Sequence, residues 1–102
     1  MPTITVKLPH SLTPEEALLK AQPALEKTMT DFQGHSLQMQ AEGSTATFSF
    51  KSMAFTIKGK VEAAPAEVTV TVDLPFAAIM FKDQAERAIA KNVKRALAPP
   101  EA

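Results

Sequence analysis

Near the start of the chain, hydrophobic and polar positions alternate with period two. Ile4, Val6 and Leu8 fall on one side, and Thr3, Thr5 and Lys7 on the other. That pattern predicts a strand with one buried face. Pro9 ends it, because proline donates no ladder hydrogen bond. The period then changes. Thr13 can cap a helix, Pro14 suits its first position, and Glu16 completes a Thr-x-x-Glu capping box, with Glu15 and Glu16 at the positive end of the helix dipole. At about 100° per residue, Leu18, Ala21, Leu25, Met29 and Phe32 share one face and Pro23 projects from the opposite one. A stripe that stays in phase across the proline predicts one kinked helix, its freed carbonyl toward water, stopping at Gly34.

Four further strands follow. Leu37, Met39 and Ala41 alternate with Gln38 and Gln40, and Glu42-Gly43-Ser44 marks a turn. Ala46, Phe48 and Phe50 form the next apolar series, then Met53, Phe55, Ile57 and Val61, with Gly59 between the last two. After a turn at Ala63-Ala64-Pro65-Ala66 come Val68, Val70, Val72 and Leu74 in strict alternation. Short connections favour an antiparallel meander with one wet face, made of Thr47, Ser49, Thr56, Lys58, Thr69, Thr71 and Asp73. A final helix runs to about Leu97, before Pro99-Pro100, with Phe81, Ala85, Ala88, Ile89, Val93 and Ala96 as its apolar stripe and Asp83–Arg87 spaced for an i,i+4 pair. The order β-α-β-β-β-β-α predicts an α+β two-layer sandwich, an antiparallel five-stranded sheet with two helices on one face. This is a shortened helix-grip-like arrangement. One domain over residues 1–98 and a disordered tail at 99–102 are expected.

The run Leu74–Phe81, LPFAAIMF, carries no charge over its eight residues. Leu74 continues the inward valine series, and Ala78 and Phe81 align with the final helix stripe, so these three are expected in the core. Phe76, Ile79 and Met80 do not fit it. Either they tuck under a loop, or they stand exposed beside the basic side of the helix formed by Arg87, Lys91 and Lys94. Phe76, Ile79, Met80, Arg87 and Lys91 are therefore the candidate contact residues for a partner or ligand.

Composition narrows the function classes. The chain has 102 residues, with eleven basic and eleven acidic side chains that cancel. No global field then draws it to nucleic acid or an anionic membrane, and no aromatic residues are interleaved with the basic helix end, as single-stranded nucleic-acid platforms require. Cysteine is absent, which removes disulfide and thiolate chemistry. The N-terminus shows no basic region leading into a long apolar stretch, and the longest apolar run is far short of the ~18–20 residues of a membrane span. A cytoplasmic protein is expected. His10 and His35 each precede a serine, but neighbouring residues of a strand point opposite ways and no third orienting group accompanies them. Local capping or turn roles are expected for both. No spacing suggests a metal site, and the dispersed Gly34, Gly43 and Gly59 form no phosphate loop. No catalytic residue, metal or cofactor is expected.

The approach Pro9-His10-Ser11-Leu12 with Glu15-Glu16-Ala17, the four short strands, and LPFAAIMF leading into KDQAERAIAKNVKRAL together resemble a family of small bacterial polyhydroxyalkanoic acid system proteins, associated with loci for storage-polyester granules. The resemblance spans about residues 3 to 97. The chain departs from the family pattern at Pro23, and at Ile79-Met80, which stand where a Gly-Pro turn is expected in relatives. The resemblance implies a cytoplasmic, non-enzymatic accessory role in granule formation or regulation, by contact with the granule surface or granule proteins through an apolar patch. The fold supplies an alternative, a small apolar ligand held between sheet and last helix, although 102 residues leave little room for a large cavity. Exposed sheet edges suggest a homodimer, formed through an edge strand or the apolar run.

Overall fold

The computed structural model describes residues 3–52 and 55–98, and of Phe76 and Ala77 the backbone alone. Met53 and the tail at 99–102 therefore lie outside the described residues, as does the side chain of Phe76. The elements are β1 (Thr3–Pro9), α1 (Pro14–Asp31), β2 (Gly34–Glu42), β3 (Thr45–Ser52), β4 (Phe55–Ala63), β5 (Glu67–Asp73), a 3-10 segment (Phe76–Phe81) and α2 (Lys82–Leu97). All neighbouring strands are antiparallel, in the order β1-β5-β4-β3-β2. The expected α+β sandwich is present.

Alternation and register together build the core. Val6 faces Val70, which faces Val61, which faces Ala46, so one apolar row crosses four strands. Ile4, Val61, Val68 and Val70 are fully buried within it. α1 begins with the expected capping box: the Thr13 hydroxyl accepts the Glu16 N–H at 3.2 Å, and Glu16 accepts the Thr13 N–H at 3.4 Å. The helix continues through the exposed Pro23, and Leu19, whose carbonyl thereby loses its helix partner, is itself exposed. Its buried face is Ala17, Leu18, Ala21, Ala24, Leu25 and Thr28, with Met29 and Phe32 only half-buried.

Four details depart from expectation. Gln33, not Gly34, takes the left-handed conformation after α1 (φ 59°), and Gly34 already opens β2. The glycine serves close packing instead: a Cβ at position 34 would collide with the Met29 side chain and lie 2.9 Å from the Met29 carbonyl. β2 is bulged, with its register shifting between His35 and Gln38 around a left-handed Ser36 (φ 59°), and Ala41 ends up exposed. On α2 the buried face is Ile89, Asn92, Val93 and Leu97, while Phe81 is 38% exposed rather than core. The expected Asp83–Arg87 ion pair does not form among the described residues; the i,i+4 pair present is Lys27–Asp31, at 3.1 Å.

The two helices meet through a polar contact. The Asn92 amide donates to the Thr28 hydroxyl at 2.8 Å, and that hydroxyl donates to the Ala24 carbonyl at 2.9 Å, with both side chains buried. Replacing Asn92 by alanine leaves a buried hydroxyl short of a partner, so Asn92→Ala should lower unfolding free energy by about 1–3 kcal/mol in denaturant titration. Gly59 supplies a second test. A Cβ there would meet the Phe48 ring and sit 2.7 Å from the Thr71 carbonyl. Gly59→Ala should therefore destabilise by about 1–3 kcal/mol through overpacking, the reverse of the gain alanine usually brings inside a strand.

Candidate functional site

The sandwich is incompletely filled at one end. There the C-terminal end of α1, the facing ends of β3 and β4, the end of β5 and the start of α2 enclose an apolar cavity of about 270 Å3. Leu25, Phe48, Ile57, Val72, Leu74 and Ile89 form its buried wall, and Met29, Phe32, Phe50 and Phe55 are half-buried around it. Phe48 and Phe50, two apart on β3, stack with ring centroids 6.4 Å apart. The lining residues that reach solvent are Asp31, Gln33, Phe81 and Gln84, which place the mouth between the end of α1 and the start of α2. Sealed and empty, an apolar void of this size would cost about 6 kcal/mol at roughly 24 cal/mol per Å3. That is comparable with the whole stability of an ordinary domain, about 5–15 kcal/mol. The open mouth allows an occupant to relieve that cost.

The polar groups in the cavity wall are already engaged. Thr28 is held between Asn92 and Ala24, and the Ser52 hydroxyl donates to the Phe32 carbonyl at 2.7 Å, which satisfies one acceptor at the end of α1. Sequence reasoning offered an apolar pocket between sheet and last helix only as an alternative, and gave neither its place nor its lining. Its residues read as ordinary inward positions of five elements, and only their separation in space makes a pocket.

Beside the mouth lies the charge-free run. Its backbone forms the 3-10 segment Phe76–Phe81 in place of an early turn of α2. Leu74 and Ala78 are buried as expected, whereas Ile79 is 50% and Met80 85% exposed. Of the two alternatives for these residues, exposure is the one found. Arg87 and Lys91 are exposed on α2, about one turn apart near its middle. The structure thus places Ile79, Met80, Arg87 and Lys91 on the surface.

His10 is structural. Its Nδ1 accepts the Leu12 N–H at 3.0 Å, so the ring proton sits on Nε2, which donates to the Ala64 carbonyl at 2.6 Å. The backbone N–H of His10 also donates to the Ala66 carbonyl at 3.1 Å. Together these bonds clamp the β1–α1 connection to the β4–β5 turn. His35 lies on the exposed edge strand β2, with Nδ1 2.9 Å from the hydroxyl of its neighbour Ser36. Among the described residues no three His, Asp or Glu side chains gather as a metal site, and no helix is long and apolar enough to cross a membrane.

These features define the class: a small helix-grip-like α+β domain with an end cavity and an exposed apolar segment beside its mouth. The chain belongs to the family described as "Putative polyhydroxyalkanoic acid system protein", whose profile matches residues 4–97. No curated protein shows significant sequence similarity to it. Among solved structures, it is similar to the crystal structure of Ara h 8.0201, with 15% identity over 94% of this chain and 97% of that one and a TM-score of 0.45. It is also similar to that of TTHA0849 from Thermus thermophilus, with 12% identity over 94% and 92% of the two chains and a TM-score of 0.39. Scores this low support no inference about ligand or partner.

The His10 clamp can be tested directly. His10→Ala should cost about 1–3 kcal/mol of stability, from the loss of two side-chain hydrogen bonds at roughly 0.5–1.5 kcal/mol each. Thermal unfolding monitored by circular dichroism checks this.

Proposed function

We propose that this chain is a non-enzymatic, cytoplasmic accessory protein of the bacterial polyhydroxyalkanoate storage-granule system, acting by contact with the granule surface or a granule protein. The observation that carries this reading is the exposure of Ile79 and Met80 on a charge-free segment of a chain from that family. The fold buries Leu74 and Ala78 of this segment but leaves Ile79 and Met80 outside, so their apolar area is available to a partner. Arg87 and Lys91, exposed on the helix that follows the segment, carry donors that suit the ester carbonyls of a polyester. Burying what these two side chains still expose contributes about 2–4 kcal/mol, before the cost of association is subtracted. One segment therefore binds weakly. A homodimer presenting two would gain by effective concentration, and the exposed edges of β1 and β2 offer a route to one.

A second reading, a small apolar ligand held inside the domain, is favoured by the end cavity. Co-sedimentation of purified protein with polyester granules tests the first. Wild type should pellet with granules, and the double variant Ile79→Ser/Met80→Ser should pellet several-fold less while its stability stays within about 0.5 kcal/mol, as for exposed positions generally. Wild type left in the supernatant defeats the contact reading. A monomer mass by light scattering at high concentration defeats the dimer.

A further inference from the structure

We infer that the end cavity takes an uncharged medium-chain aliphatic molecule with an ester or hydroxyl head, and excludes a free carboxylate. This deepens the internal-ligand reading and rests on it. At about 270 Å3 and open at one end, the cavity exceeds the engineered void of about 150 Å3 that takes benzene, and so has room for a medium-length chain.

The wall decides where the head group lies. Both of its hydroxyls are committed within the protein, Thr28 to Ala24 and Asn92, and Ser52 to Phe32. A charge carried inward would find no partner, and an unpaired buried charge is strongly disfavoured. The head must therefore stay at the mouth, among Asp31, Gln33 and Gln84. Among the described residues lining the cavity, Asp31 is the single charged group, and Lys27, which pairs with it at 3.1 Å, is not part of the lining. A carboxylate would face that acid. An ester carbonyl would instead accept from the Gln33 or Gln84 amide, and a hydroxyl could also donate to Asp31.

Titrating the full chain with methyl octanoate, octan-1-ol and sodium octanoate at neutral pH tests this, followed by methyl NMR resonances. The ester and the alcohol should shift Ile57, Val72 and Ile89, and octanoate should bind several-fold more weakly, because Asp31 repels its carboxylate at the mouth. Ala85→Phe, which fills the cavity from α2, should abolish the ester shifts; Ala78→Leu serves if that variant fails to fold. Ile79→Ser/Met80→Ser should keep wild-type ester affinity. Octanoate binding as tightly as the ester would overturn the head-group inference and leave the internal-ligand reading standing. If no probe shifts the cavity methyls, or shifts appear only at Ile79 and Met80, the internal-ligand reading fails and the inference fails with it.

Discussion

Every strand of this sheet turns alternate side chains toward the same side, and that face must be covered for the chain to fold at all. Five strands about 4.8 Å apart make a face roughly 20 Å wide. Two helices, each about 10 Å across, are enough to cover that width. The helices are drawn to it by stripes of alanine, leucine and valine: Ala17, Leu18, Ala21 and Leu25 on α1, and Ile89, Val93 and Leu97 on α2. The opposite face keeps threonine and lysine in water and needs no cover. The cost of leaving the valine rows of β5 and β1 exposed therefore sets the position of everything else.

Cover runs short along the strands rather than across them. α1 ends at Asp31, and α2 starts only at Lys82, after the 3-10 segment. Between these ends the sheet still presents Phe48, Ile57 and Val72, and the side chains reaching over them leave the cavity. The same segment that fails to seal the core exposes Ile79 and Met80. The cavity and the apolar surface are two consequences of one structural shortfall, which is why both functional readings converge on this end of the molecule.

A few polar contacts give the two layers one relative position. The Asn92–Thr28 bond joins the helices inside the apolar layer, Ser52 ties β3 to the last carbonyls of α1, and His10 ties the entry of α1 to the β4–β5 turn. Each is worth little alone. Their value is geometric, because hydrophobic burial is non-directional and would tolerate the helices sliding along the sheet.

Much of the fold was legible because it is encoded locally. Alternation placed all five strands, and Thr13, Pro14 and Glu16 marked the start of α1 by chemistry confined to one turn. The in-phase stripe predicted passage through Pro23, since a proline on the solvent side removes no core contact. The site was less legible. Phe81 fits the α2 stripe by periodicity, yet the backbone before Lys82 is 3-10, which rotates the residue to the cavity rim. Asn92 lies outside the predicted stripe, and only the fold brings Thr28 opposite it. The sequence alone determined the elements, their order and the buried face of the sheet, because hydrogen-bonding geometry and side-chain period act over a few residues. Only the tertiary structure decided which apolar residues stay exposed and where a void remains, because both depend on how far two helices of fixed length reach over the strands beneath them.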